Sequence, residues 1–538
     1  LVGCGSIPAS VDRNGKTFVL KVWRAVRSQI CLSTHGKFAN IAPLKRFVVW
    51  VINKTNADER RVVCNEIKNL SFSFRKYAID GVFSYNGNLP RSFVIWLKHI
   101  SPSTQSRCQM ARMGRCLPVG DKSVIDASIR SYRKIVTTPV VADYSVADAV
   151  YHFARNWAGS RKDLLRGNVS WAPNENTASL NFGANEGGRL AELISDSATV
   201  LEPLLEFTPL GEGNDLLDEV LIETAIERAR TERPIPQVIA VPEKGYKSRV
   251  LTKFPAYFLL PGDIIRRQLW PLMEDMDWLD MDIVPNVDKL NRFIQHSVGS
   301  SSVCISSDLS NATDYIPHLY AQALWSGIFS VFDVPEWVRD YANVMMGSFE
   351  MSFPDGNYTT TRGIHMGTPM SFMTLCLLHQ YCVDQSGYSR FPHIIRGDDL
   401  IGLFPSVRVY VASMETIGFK FNKSKTIISR HGGTFVERVF KFTRGPPPEP
   451  LRKVRGFTIA DYITDIPQDY VITSCKEVRD VPVSGLINPS ESAGSLLRNI
   501  GRWYAQLPAD VNVRQRKRVS RLIAGLYQKT IGTARLHG

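Results

Sequence analysis

Residues 393–404 read His-Ile-Ile-Arg-Gly-Asp-Asp-Leu-Ile-Gly-Leu-Phe, and the fold turns on how they are read. Two short apolar runs, 393–396 and 400–404, flank Gly397-Asp398-Asp399, a tripeptide short enough to fit only a tight turn. Gly397 can take the positive φ such a turn demands, so a β-hairpin is predicted. That geometry lifts Asp398 and Asp399 to the tip of a buried, rigid pair of strands. Adjacent carboxylates repel, and each needs water or a cation, so a hairpin that holds them together suits a divalent ion. The same tripeptide also serves as an ordinary acidic surface turn. A second carboxylate arriving at the end of another strand would separate the two readings.

That carboxylate is predicted in 303–317, Val-Cys-Ile-Ser-Ser-Asp-Leu-Ser-Asn-Ala-Thr-Asp-Tyr-Ile-Pro. A short strand ends at Asp308, Asp314 returns after a polar turn, and a helix is expected over 320–331. Residues 361–380 then read Thr-Arg-Gly-Ile-His-Met-Gly-Thr-Pro-Met-Ser-Phe-Met-Thr-Leu-Cys-Leu-Leu-His-Gln, a Gly-rich loop feeding a long apolar helix. Gly363 and Gly367 let the backbone approach a ligand closely, and the hydroxyls of Thr368 and Ser371 can hydrogen-bond a sugar. As structure alone, the stretch is a helix start with a buried helix behind it. His365 and His379 have no matched ligands and are expected to be structural.

Upstream, residues 241–253 (Val-Pro-Glu-Lys-Gly-Tyr-Lys-Ser-Arg-Val-Leu-Thr-Lys) place Lys244, Lys247, Arg249 and Lys253 in a strand-like stretch. Lys247 and Arg249 point to one side, a spacing that presents cations along a phosphate chain. A basic edge strand that discourages aggregation is the alternative. A helix is predicted over 214–231, with Leu217, Val220, Leu221 and Ala225 on one face and Pro234 past its end. The polar, Gly-rich loop over 176–188 lacks the pattern of a P-loop. Residues 1–165 carry the least signal: 16–26 alternates like a strand, and 47–52 is an apolar run expected to be buried. The basic residues Lys98, Arg107, Arg112, Arg115, Lys122, Arg130 and Arg133 either face solvent or line an RNA path. The run 445–450 (Gly-Pro-Pro-Pro-Glu-Pro) breaks structure. Beyond it, 501–538 carries eight Lys or Arg against Asp510 alone, with Val513, Leu522 and Leu526 at helical spacing. This reads as a basic helix facing RNA or as a soluble terminal helix.

Composition narrows the classes. A chain of 538 residues is long enough for sizeable cores, in roughly three or four units. With 44% hydrophobic and 22% charged residues the composition is that of a globular chain rather than a disordered one. A net charge of +14 favours a polyanionic partner such as nucleic acid. The nine cysteines form no CxxC pair and are expected to be reduced thiols. No apolar run reaches the ~18 residues of a membrane helix, and no signal-peptide shape is present. The chain opens on Leu1 rather than Met, as a fragment or processed product would.

The order and spacing of Asp308, the 361–380 loop and helix, and the Gly397-Asp398-Asp399 hairpin resemble motifs A, B and C of viral RNA-dependent RNA polymerases. Asp308-Leu-Ser-Asn-Ala-Thr-Asp314 and Met366-Gly367-Thr368-x-x-Ser371 are similar to the narnavirus, ourmia-like virus, mitovirus and RNA-phage replicase lineage, above all its narna-like and ourmia-like enzymes. The loop over 176–188 resembles a stretch preceding the fingers in those enzymes. Residues 244–249 resemble motif F, 415–426 motif D and 434–440 motif E. The resemblance covers roughly 170–445. It departs from the common positive-strand pattern at Leu375, which stands where many relatives carry a sugar-sensing Asn.

The resemblance implies an α+β right-hand polymerase: an N-terminal region 1–165, fingers over 166–300, a palm over 301–445, and a thumb with a basic C-terminal helix over 446–538. It implies nucleotidyl transfer with two Mg²⁺ ions, Mn²⁺ being a possible substitute, and Asp308, Asp398 and Asp399 as the metal residues. Lys244, Lys247 and Arg249 would bind the triphosphate, with Asp314, Gly367, Thr368 and Ser371 around the ribose. Lys425 would donate a proton to pyrophosphate, with Lys420 and Lys423 as competitors. The implied partners are template and product RNA and NTPs, in a monomer bound to its own RNA in the host cytoplasm rather than the mitochondrion. A reverse transcriptase or a non-catalytic RNA-coating protein would share some of these features.

Overall fold

The computed structural model describes residues 12–34, 41–164, 177–199, 213–281, 286–422, 425–446, 470–488, 498–501, 503 and 513–537. Among these, the strands are β1 (Gln237–Glu243), β2 (Lys247–Lys253), β3 (Val303–Asp308), β4 (Glu350–Phe353), β5 (Gly356–Thr359), β6 (His393–Arg396), β7 (Asp399–Phe404), β8 (Ile427–Ser429), β9 (Gly432–Phe435), β10 (Arg438–Gly445) and β11 (Val471–Val478). They form three small sheets ordered β2-β1-β4-β5, β6-β7-β3-β8 and β11-β10-β9. Neighbours are antiparallel except β1 and β4. The fold is α+β, with helices on most sides of these sheets.

The expected hairpin over 393–404 is present as β6 and β7. Gly397 takes φ +60° at its turn, and a Cβ there would meet the Phe372 ring at 3.2 Å. Strands β3 and β7 are buried on both faces, which is why β7 reads as a nearly continuous apolar run after Asp399 and β3 opens on Val-Cys-Ile with small serines behind. Val303, Ile305, Leu400 and Phe404 point into the largest, mainly helical core. Cys304, Ile401 and Leu403 point the other way, against Phe435, Phe440 and Phe442 of the third sheet. The period of two along each strand thus sets the sheet between two layers.

The helix after the Gly-rich loop runs Ser371–Gln385, buried from Met373 through Val383. Its whole circumference is covered because it lies between the central sheet and the helices Tyr144–Gly159 and His318–Phe329. The helix expected over 320–331 is His318–Phe329. The one expected over 214–231 is Gly213–Thr231, with Val220, Leu221 and Ala225 buried.

The N-terminal part differs from the sequence expectation. Residues 16–26 lie in the helix Arg13–Thr34, not a strand. Phe18, Val19, Val22, Trp23, Val26 and Ile30 also recur at helical spacing, and all of them are buried. Packing against the helices Ala42–Asn56 and Thr104–Met110 selects that period over the alternating one. The apolar run 47–52 lies in the helix Ala42–Asn56, where Val49 stays 55% exposed.

The C-terminal helix Val513–His537 docks through a face that includes two of the three apolar residues expected, Leu522 and Leu526, but not Val513. Val519, Ile523 and Tyr527 are buried, Leu522 and Leu526 lie beside them, and Val513 is 65% exposed. These residues join Val481, Val483, Leu486 and Ile487 in the same core as the helices of 13–117, so the two ends of the described chain fold together. Pro447 to Pro450, Lys423, Asp510 and the start of the loop at Asn176 lie outside the described residues.

Candidate active site

Antiparallel pairing sets Asp308, the last residue of β3, directly opposite Asp399, the first of β7, with Asp398 beside it on the turn. Ninety residues of sequence are closed by this one register. The segment 420–426 is laced to the end of β3: Asn422 N–H donates to the Asp308 carbonyl at 2.8 Å and Ser310 N–H to the Lys420 carbonyl at 2.8 Å. That lacing brings Lys425 Nζ to 3.0 and 3.3 Å from the two Asp308 carboxylate oxygens. Lys420 turns elsewhere, its ammonium 4.2 Å from the Tyr315 ring centre.

A buried hydrogen-bond chain fixes the turn. His379 lies 2.9 Å from the Gly397 carbonyl through Nδ1 and 2.7 Å from the Tyr410 hydroxyl through Nε2. A carbonyl only accepts, so Nδ1 carries the proton and Nε2 accepts from Tyr410. The Tyr410 oxygen is 3.2 Å from Ser307 Oγ, next to Asp308 on β3. Burial pushes the His379 pKa down to about 4, keeping the ring neutral as this chain requires. The expected structural role of His379 is therefore a positioning one.

Electrostatically the carboxylates are crowded. Burial and then the Asp308 charge raise the Asp398 pKa, with Lys425 and Arg249 opposing. Burial, Asp398 and Asp308 push Asp399 up to about 7, opposed by Arg115 and Arg75. Among the described residues no three His, Cys, Asp or Glu close into a metal-binding cluster. The donor set still fits a hard divalent cation. Carboxylate oxygens from a strand end and a turn converge in mutual repulsion that such a charge would relieve.

The β1–β2 hairpin carries the predicted cations. Lys247 Nζ lies 2.7 Å and Arg249 Nε 2.8 Å from the two oxygens of Glu243, so one carboxylate gathers both. Lys244 is placed apart from them: its ammonium donates to the carbonyls of Ser484 and Ile487, each at 2.9 Å.

The loop before the helix Ser371–Gln385 is pinned to both the strand end and the hairpin. Ile364 N–H donates to the Thr313 carbonyl at 2.8 Å, and Thr252 N–H to the Met366 carbonyl at 2.9 Å. Gly367, at φ +112°, has no room for a side chain, since a Cβ would sit 2.8 Å from the Thr252 carbonyl oxygen. Thr368 Oγ1 donates to the His365 carbonyl and Ser371 Oγ to the Thr368 carbonyl, both at 2.9 Å. Their protons are engaged by backbone, leaving oxygen lone pairs as acceptors. Burial raises Asp314 to about 7, partly offset by a hydrogen bond from Thr313.

Sequence reasoning missed the N-terminal contribution. Gly245 N–H and Tyr246 N–H donate to the carbonyls of Leu117 and Pro118 at 3.2 and 2.7 Å, fastening the tip of the β1–β2 hairpin. The Tyr246 ring is buried in the N-terminal core, edge-on to Phe18 at 5.8 Å. Of the basic run over 91–134, Arg112 pairs with Asp480 and Glu437, and Arg115 with Glu437 at 2.6 Å. Arg133 pairs with Asp355. These three are tied to acids within the chain. Burial opposes the charge of Glu437, yet Arg115, Arg112 and Arg75 hold its pKa below the usual range. The only sequence signal was the density of basic residues, which names no partner.

The region that holds the carboxylate-bearing sheet is similar to known proteins. Residues 280–466, which include Asp308, Asp398, Asp399 and Lys425, match the family described as mitovirus RNA-dependent RNA polymerase. The RNA-directed RNA polymerase of Saccharomyces 20S RNA narnavirus is 27% identical over 437 residues, covering 75% of this chain and 52% of that protein. Its counterpart from Saccharomyces 23S RNA narnavirus is 25% identical over 470 residues, covering 78% and 48%. The chain spans about half the length of these relatives. The chain is thus similar to the mitovirus RNA-dependent RNA polymerase family over the region of its carboxylate-bearing sheet, and to narnavirus RNA-directed RNA polymerases over most of its length.

Proposed function

We propose that this chain carries the polymerising centre of a viral RNA-directed RNA polymerase, which extends the 3′ end of an RNA by NTPs on an RNA template. The observation that carries this reading is the opposition of Asp308 and Asp399 across β3 and β7, with Asp398 on the turn and Lys425 on Asp308. The name shared by the relatives supports it. In this reading the β6-β7-β3-β8 sheet and the helix Ser371–Gln385 are the palm. The β1–β2 hairpin belongs to the fingers, and the residues beyond 446 to the thumb.

Asp308 and Asp398 would hold two Mg²⁺ ions, or Mn²⁺, with Asp399 beside them; such ions activate the 3′ hydroxyl and stabilise charge on the transferring phosphoryl group. Lys247 and Arg249 exchange the Glu243 carboxylate for phosphate oxygens of the NTP. The 3′ hydroxyl loses its proton to solvent and its oxygen bonds to the α-phosphorus, the bond to the oxygen bridging the α- and β-phosphates breaks, and Lys425 donates a proton to the departing pyrophosphate. Asp314 and the lone pairs of Thr368 and Ser371 face the ribose hydroxyls. Lys244, occupied with the 484–487 turn, supports the hairpin instead of the substrate.

The test is nucleotide incorporation by the purified chain on primed and unprimed RNA, with NTPs or dNTPs. Template-dependent use of NTPs that EDTA abolishes is expected. Equal use of dNTPs would favour a reverse transcriptase, and no incorporation with either metal would leave only an RNA-binding role.

A further inference from the structure

The helix Arg60–Asp80 passes the site from the N-terminal side, a part of the chain that no motif reaches. Lys68, midway along it, donates a hydrogen bond from Nζ to the Tyr246 carbonyl at 3.2 Å, at the tip of the β1–β2 hairpin and next to Lys247. Its stem is held in place: a Cβ on Gly114 would meet Lys68 Cγ at 3.4 Å. Ser71 Oγ, on the same helix, accepts from Gly114 N–H at 2.9 Å. The hairpin tip above it is equally fixed, through Leu117, Pro118 and the buried Tyr246 ring. The ammonium is therefore pre-positioned.

The charges around it are of the wrong sign for a structural lysine. Among the described residues it makes no ion pair with a carboxylate. Burial lowers its pKa, and Lys425, Lys247 and Arg61 lower it further, against the Cys64 thiol. Lys425 is balanced by Asp308, and Lys247 and Arg249 share Glu243. Lys68 has a carbonyl alone, and an ammonium has three protons to donate. A half-buried cation beside other cations is unfavourable until an anion joins them. An anion of more than one charge, reaching from the Asp308 end to the hairpin, would satisfy these cations together.

We propose that Lys68 binds the triphosphate of the incoming nucleotide, and afterwards the pyrophosphate, completing with Lys247, Arg249 and Lys425 a polyphosphate site built partly by the N-terminal region. This rests on the polymerase reading for the identity of the ligand, not for its polyanionic chemistry.

Lys68→Gln keeps a donor for the Tyr246 carbonyl and removes the charge. It is expected to weaken binding of magnesium tripolyphosphate, read by titration calorimetry, about tenfold, and to raise KM for NTPs by a similar factor. Lys68→Arg should recover most of both, and Lys76→Gln, on the exposed side of the same helix, should change neither. In the unaltered protein, tripolyphosphate should protect Lys68 but not Lys76 from amine acylation read by mass spectrometry, a measurement that needs no variant to fold. Unchanged tripolyphosphate affinity in a folded Lys68→Gln protein, or absence of protection, overturns the proposal. If the protein incorporates no nucleotide yet Lys68 is protected, the polymerase reading fails and the polyphosphate site stands.

Discussion

His379 Nδ1 lies 2.9 Å from the carbonyl oxygen of Gly397, so the turn that carries Asp398 is fastened to a helix buried along most of its length. Through Tyr410 the same ring reaches Ser307, the neighbour of Asp308. One neutral imidazole thereby ties both carboxylate-bearing strands to one support. We predict that His379→Ala lowers stability by roughly 2–5 kcal/mol, from a cavity and two unpaired buried groups. Tyr410→Phe should cost about 1–3 kcal/mol. Urea unfolding would check both, and a His379→Ala protein as stable as the parent would remove the positioning role.

The carboxylates themselves separate catalysis from binding. Asp308→Asn and Asp398→Asn are each expected to reduce incorporation at least ~10²-fold while RNA affinity stays within a few-fold. Asp399→Asn should be milder, since Asp399 faces Asp308 from the adjacent strand rather than from the turn. Single-turnover rates and filter binding on the same preparations provide the comparison. Rates near those of the parent for both Asp308→Asn and Asp398→Asn would exclude the metal assignment.

Sugar choice tests the loop at 363–371. A site that hydrogen-bonds a hydroxyl rejects the analogue lacking it, by roughly 1–3 kcal/mol per unpaired group. Asp314→Ala or Ser371→Ala is expected to narrow the preference for GTP over dGTP, mainly by lowering kcat/KM for GTP. Discrimination that survives both changes would move the ribose contact to Thr368.

Acid sensitivity follows from buried imidazoles. Burial lowers the pKa of His318, His379 and His393 to about 4 and of His365 to about 3. The unfolded chain protonates these rings near 6.5, so between that pH and about 4 it binds more protons than the folded one. Their contribution to stability is therefore complete above about pH 6.5 and falls as the pH drops towards 4. Asp314 and Asp399, both raised to about 7, and Asp398, also raised, work in the opposite sense, favouring the fold below their unfolded pKa and losing that as pH rises through the folded one. With four rings against these three carboxyls, unfolding free energies should still decrease from pH 6.5 to 4.5, by less than the rings alone would give. A flat or rising profile would contradict the burial of these histidines.

The C-terminal helix offers a salt-dependence test. Val519, Ile523 and Tyr527 are buried, which leaves Arg514, Lys517 and Arg521 exposed. If these bind RNA phosphates, replacing all three by Gln should flatten the log–log salt dependence of single-stranded RNA binding by about 0.7 for each phosphate no longer neutralised. An unchanged slope would mean that they face solvent alone.

The sequence alone determined the elements whose signals are local. Gly397 between two short apolar runs specifies a hairpin, because that residue takes the turn cheaply and runs of four or five residues suit doubly buried strands. The strand ending at Asp308 and the apolar helix after Gly367 were legible for the same kind of reason. Tertiary structure decided everything that depends on which surfaces meet. The pairing of Asp308 with Asp399 is a register between strands far apart in the chain. The run 16–26 satisfies two periods at once, and only its packing partners chose the helix. Likewise the buried face of Val513–His537 depends on where the N-terminal core lies. Lys68 carries no motif at all, and its significance comes from standing beside Tyr246, whose place is fixed by backbone hydrogen bonds to residues 117 and 118. Such contacts leave no periodic trace, because a side chain's neighbour across the fold places no constraint on the residues beside it in sequence.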